Sequence, residues 1–172
     1  FDAHKALWKE SGLIYKFMNY RCFEQQLAAA STQNNLTFQT NLKSVHNAFV
    51  VMTPQAAQSA AGNAVAAQVA YCQSDFRKNG LNSFRFKIGG LSYPDYGVCD
   101  VDDVASGQAW KQLQLALGNM SNKMADCSIE PWEWADDDSH KFIMAGAFAK
   151  EKDVYNTGLD CANNYLELEL AS

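Results

Sequence analysis

The 172-residue chain sets 14 Lys+Arg against 19 Asp+Glu, a net charge of −5, and a hydrophobic share of 48% places it with folded domains rather than disordered tails. The acidic balance argues against a protein that coats nucleic acid, which needs clustered Lys and Arg to release counterions. No apolar run reaches the ~20 residues of a membrane-spanning helix, and the charged share of 19% is low, as suits surfaces covered by something other than water.

In chain order, residues 3–10 suggest one or two helical turns. Residues 13–23 (LIYKFMNYRCF) are aromatic-rich and partly alternating, which predicts a strand. Residues 27–35 (LAAASTQNN) are small and polar and read as a loop. Leu36, Phe38, Thr40 and Leu42 then alternate with Thr37, Gln39 and Asn41, a second strand. Residues 45–52 (VHNAFVVM) end in a continuous apolar run before Pro54, the pattern of a strand buried on both faces. Residues 55–70 are Ala-rich and contain no large side chain from Gln55 to Ala64, so they read as a weak helix or a surface insertion.

Asn79-Gly80 marks a turn. Phe84-Arg85-Phe86-Lys87-Ile88 puts three apolar side chains on one face and two bases on the other, the clearest half-buried strand of the chain. Gly89-Gly90 closes it, and Tyr93-Pro94-Asp95-Tyr96-Gly97 is a turn cluster. A helix is predicted at about 106–118, with Ser106 as N-cap, Ala109, Trp110, Leu113, Ala116 and Leu117 at helical spacing, and Gly118 as the stop. Residues 119–140 have no period and read as a long ordered loop. Residues 141–148 and 165–170 predict two more strands. The pattern as a whole is all-β, a sandwich of six or seven strands with one helix and long loop insertions.

The chain opens Phe1-Asp2-Ala3-His4, without Met or a signal peptide, and its last alternation runs to the final residues. The expectation is one domain over 1–172 that belongs to a longer or processed chain. Cys22, Cys72, Cys99, Cys127 and Cys161 are odd in number and hold no C-x-x-C pair, which predicts free thiols in a reducing compartment and no zinc site.

Candidate chemistry is sparse. His4, His46 and His140 share no motif; His46, before an apolar run, reads first as a core or interface group and second as a base. Cys22 or Cys161 as a nucleophile requires an imidazole such as His46 close in space. Asp100-Val101-Asp102-Asp103 resembles the start of a calcium loop but continues with Val104 and Ala105, and Lys111 stands where a bidentate Glu is needed. Charge at a helix N-terminus explains those carboxylates better. Asp136-Asp137-Asp138 reads as a solvated run, and Gly89-Gly90 lacks the Lys-Ser/Thr of a phosphate loop. Asn35-Leu36-Thr37 and Asn119-Met120-Ser121 match glycosylation triplets, which free thiols oppose. Trp132 and Trp134 beside Pro131 are either a sugar-stacking pair or the lid of a core. The residues thus predict no catalytic residue, metal ligand or cofactor site.

The segment Leu81-Asn82-Ser83-Phe84-Arg85-Phe86-Lys87-Ile88-Gly89-Gly90-Leu91-Ser92-Tyr93-Pro94 resembles a stretch of the major capsid proteins of the double jelly-roll lineage, found in small double-stranded DNA viruses and virus-like elements of protists. There a strand of the form x-S-F-x-x-x-I-G-x-x-x-Y-P precedes a spacer and a helix, here Ala109 to Leu117. Residues 43–52 are similar to the buried strand before that family's long insertion. Residues 142–170, with Phe148, Thr157-Gly158 and the alternating leucines, are similar to its late segment. A complete member carries two jelly rolls and is more than twice as long, so the resemblance implies that this chain supplies one, the second. It further implies a structural capsid protein of the virion, neither an enzyme nor a direct binder of nucleic acid. Its partners would be copies of itself, in a trimeric capsomer, and minor capsid proteins. The rival reading is a carbohydrate-binding β-sandwich module using Trp132 and Trp134, and a more distant one is a cysteine hydrolase.

Overall fold

The computed structural model describes residues 19–27, 31–53, 76–95, 97–101, 107–120, 129–136, 139–149 and 158–172. Within them run β1 (Gln33–Phe38), β2 (Asn47–Val50), β3 (Ser83–Ile88), β4 (Leu91–Tyr93), β5 (Cys99–Asp100), α1 (Gln108–Met120), α2 (Pro131–Ala135), β6 (Met144–Ala147) and β7 (Leu166–Ala171). Among the described residues all pairs of these strands are antiparallel and two helices occur, so the fold is mainly β, as expected.

The larger sheet has the order β1-β7-β3-β4, with the short β5 also on β3; the smaller one pairs β2 with β6. β7 is flanked on both sides, and its register sets the inner face in rows. Leu36, Leu168, Phe86 and Tyr93 lie across one row, and Phe38, Leu166 and Ile88 across the next. Because side chains alternate along a strand, Ser83, Arg85 and Lys87 point the other way, with Glu167 and Glu169 beside them. This is the half-buried strand predicted at 84–88.

The Gly89-Gly90 turn follows from the same geometry. Ile88 faces Leu91, which leaves two residues for the connection, and both have positive φ, 59° and 82°. That turn matches the twist of the strands it joins, and glycine adopts it without the strain a side chain imposes. Within residues 81–94, Phe84 and Ile88 fill the core, Gly89-Gly90 makes the turn, and Tyr93 returns to pack its ring on Phe148 at 5.8 Å.

The two sheets meet at Phe86. Its ring lies edge-on to Phe148, centroids 5.6 Å apart, against Gly146 of β6. A methyl group at Gly146 would stand 2.7 Å from the Phe148 ring and 2.9 Å from the Phe86 ring, so the absence of a side chain lets the aromatic layer reach the backbone of β6. Phe84, Phe142, Met144, Leu113 and Leu168 complete the buried centre.

Several expected boundaries are corrected. Residues 19–23 form no strand, and among the described residues none pairs with them; Arg21 instead donates to the Thr40 carbonyl at 3.1 Å and Phe23 packs on Phe38. β1 starts at Gln33, inside the expected loop, since Gln33 to Asn35 find register partners in Ala171 to Glu169. It ends at Phe38, short of Leu42. β2 spans only Asn47–Val50, and Phe49 and Val51 are exposed, so it is not buried on both faces. The helix runs to Met120, because Gly118 keeps a helical backbone rather than the left-handed one that ends helices. The loop 119–140 contains α2. Residues 3–10, 13–18 and 55–70, together with His4, Cys72, Asp102, Asp103, Ser106, Cys127, Asp137 and Asp138, lie outside the described residues.

Candidate functional site

Two surfaces carry enough polar chemistry to be weighed. The first is the outward face of the larger sheet. Arg85 and Glu169 are register partners; Arg85 Nε donates to Glu169 Oε2 at 2.7 Å, and its Nη2 donates to the same oxygen. Lys87, one step along β3, reaches the other carboxylate oxygen. These donors, Lys87 first and then Arg85, hold the Glu169 carboxyl below the usual glutamate range against the opposing effect of burial. Gln33, Asn35, Ser83, Val98 and Ala171 join Arg85 and Glu169 around a shallow, open depression of about 270 Å³. It holds a fixed ion cluster and amides but no thiol or imidazole. It suits polar contact with another surface rather than bond-making.

The second surface is the end of the smaller sheet at α1 and α2. Pro131 opens α2, and the Glu133 carboxylate accepts the Glu130 N–H at 3.1 Å. The same carboxylate pairs with Lys141 at 2.6 Å, and these two donors hold it below its ordinary value. A five-residue helix turns residues two apart to opposite sides. Trp134 is therefore 4% exposed, packed on Phe142 at 5.0 Å and Trp110 at 5.8 Å, with its indole N–H on the Ile143 carbonyl at 2.8 Å. Trp132 is 67% exposed. The expected pair does not form: one ring is core and one is surface.

The remaining candidates are scattered. Cys161 is buried, and its burial, aided by Asp160, pushes the thiol up, while the Thr40 hydroxyl acts in the other direction. A neutral, enclosed thiol is a poor nucleophile. Cys22 is exposed on the segment 19–27, and Cys22, buried Cys99 and Cys161 form no disulfide. His46 stands just before β2, and its carbonyl accepts the Phe148 N–H at 2.8 Å. His140 adopts a positive φ of 56° ahead of Lys141. Asp100 lies in β5, and among the described residues no three His, Cys, Asp or Glu side chains gather where a metal could sit. Asn35 lies in a paired strand within the outward depression. Among the described residues no helix is long and apolar enough to cross a membrane.

No protein-family model, no curated protein and no solved structure matches this chain.

Sequence reasoning missed Gln112, a polar side chain 6% exposed on the core face of α1. Its Oε1 accepts the Ala147 N–H at 3.4 Å. An amide between Trp110 and Leu113 in an otherwise apolar stripe was the available signal. The Glu133–Lys141 pair had the weaker signal of Pro131 followed two residues later by Glu.

Proposed function

We propose that this chain is a jelly-roll unit of a viral capsid, a structural protein of the virion that assembles with copies of itself as a trimer and with minor capsid proteins, without catalysis or cofactor. The observation that carries the reading is the nesting of strand pairs. β1 pairs with β7, β2 pairs with β6, and β3 closes on the other side of β7. Wrapping a long antiparallel ribbon so that its ends meet side by side produces such nested pairs, and a jelly roll is built that way. The place beside β3 where a later long strand would complete the roll is taken by the short β4 and β5.

The resemblance of residues 81–94 to the double jelly-roll lineage supports the same reading. So do the low charge and the exposed apolar side chains Tyr20, Leu91, Trp132 and Tyr165, which neighbours would cover. A role away from nucleic acid is supported by the charge of −5 and by the commitment of Arg85 and Lys87 to Glu169. Light scattering on the full protein tests the proposal: trimers or larger closed species are expected, and a monomer at every concentration would contradict it. The carbohydrate reading rests on Trp132 alone, since Trp134 is enclosed. Saturable quenching of tryptophan fluorescence by a sugar, lost in Trp132→Ala, would bring it forward.

A further inference from the structure

β6 has two edges, and the hydrogen bonds assign each. Phe148 N–H bonds to the His46 carbonyl, and the register sets Ala48 opposite Gly146 and Val50 opposite Met144. In an antiparallel pair, alternate residues direct both backbone groups to the partner. Met144, Gly146 and Phe148 therefore face β2, while Ile143, Ala145 and Ala147 face away from it.

Among the described residues that second edge meets side chains rather than a strand. Gln112 Oε1 takes the Ala147 N–H, and the Trp134 indole N–H takes the Ile143 carbonyl. The spacing fits a helix laid along the edge, because Ala109, Leu113 and Ala116 of α1 are buried and the two alanines allow a close approach. α2 is fastened separately by Glu133 to Lys141 at 2.6 Å and to α1 through the Trp110–Trp134 ring contact. An open strand edge is a template for another extended chain, and folded proteins cover such edges with helices.

We infer that α1 and α2 form a guard over the second edge of β6, in which Gln112 and Trp134 occupy two backbone groups, the Ala147 N–H and the Ile143 carbonyl, that a strand from another copy of the chain would otherwise pair with. The guard goes beyond the capsid reading and does not depend on it. Small residues suit the space beneath it, and β6 supplies them as Ala145, Gly146 and Ala147.

Hydrogen exchange followed by NMR tests the guard residue by residue. In the unmodified protein the Ala147 amide exchanges together with those of α1, while the Met144, Gly146 and Phe148 amides follow the β2 side. In Gln112→Leu/Trp134→Phe, Ala147 exchanges about tenfold faster, and the alternate three are unchanged. Light scattering of that variant shows species larger than the parent forms at equal concentration. Equal acceleration of all four amides, no acceleration, or exposure without added association would each overturn the inference. Should the variant not fold, the alternation in the unmodified protein decides: its presence supports the guard and its absence refutes it.

Discussion

In the larger sheet every second residue of β3 and β7 lies on the outward face, and the alternation of Phe-Arg-Phe-Lys-Ile and Leu-Glu-Leu-Glu-Leu records that. In the smaller sheet Met144, Ala145 and Gly146 are all buried, one face against Phe86 and the other enclosed as well. A sheet with one wet face leaves a period in its sequence. A strand covered on both faces and along one edge leaves only a run of small residues. The first sheet is held by area and ion pairs, the second by fit.

The contrast can be broken in measurable ways. The largest effect belongs to the aromatic joint: Phe86→Ala should cost about 3–5 kcal/mol, since its ring fills the space between the sheets and the cavity cannot close against Gly146. Urea unfolding followed by tryptophan fluorescence and by far-UV circular dichroism should give coincident transitions, because both sheets share that joint. Gly146→Ala tests fit without loss of area. The added methyl would press on the Phe86 and Phe148 rings, and overpacking of this kind costs about 1–3 kcal/mol. The same unfolding curve reads it.

Smaller effects separate the outward ion cluster from the core. The folded-state pKa of Glu169 is depressed, so its contribution is present above the ordinary glutamate value and fades as the pH falls through the folded value. Glu169→Gln should therefore lower stability at neutral pH by about 1 kcal/mol or less and reduce the loss on acidification below pH 4.5, the ordinary value. Cys161 has the opposite sign: its pKa is raised, so the folded chain retains a proton the unfolded chain releases above pH 9.0. Stability should fall with alkali above that point, less so in Cys161→Ala. Smallest of all, Trp132→Ala should change stability by less than about 0.5 kcal/mol, because that ring is exposed; thermal melting of the variant beside the parent checks it.

What could be read from residue types follows the same division. Strands β3 and β7, the Gly89-Gly90 turn and the middle of α1 were legible, because each carries its period or turn residues within a few positions. β1 was half legible: Gln33 to Asn35 look like a loop, yet β7 supplies their ladder partners. Residues 19–23 have strand propensity without a neighbouring strand among the described residues, and propensity alone does not make a ladder. α2 is too short to show a period, and only Pro131 and Glu133 mark it. The separation of Trp132 from Trp134 depends on that short helix. Neither the outward ion cluster nor the contact of Gln112 with β6 was legible, since each joins residues tens of positions apart.

Cryo-electron microscopy of the full protein under conditions of assembly tests the proposed capsid role most directly. That role predicts closed particles built of trimers, with the β1-β7-β3 and β2-β6 sheets enclosing one core in each subunit. Dispersed monomers, or particles whose subunits lack the pairing of β1 with β7, would contradict it.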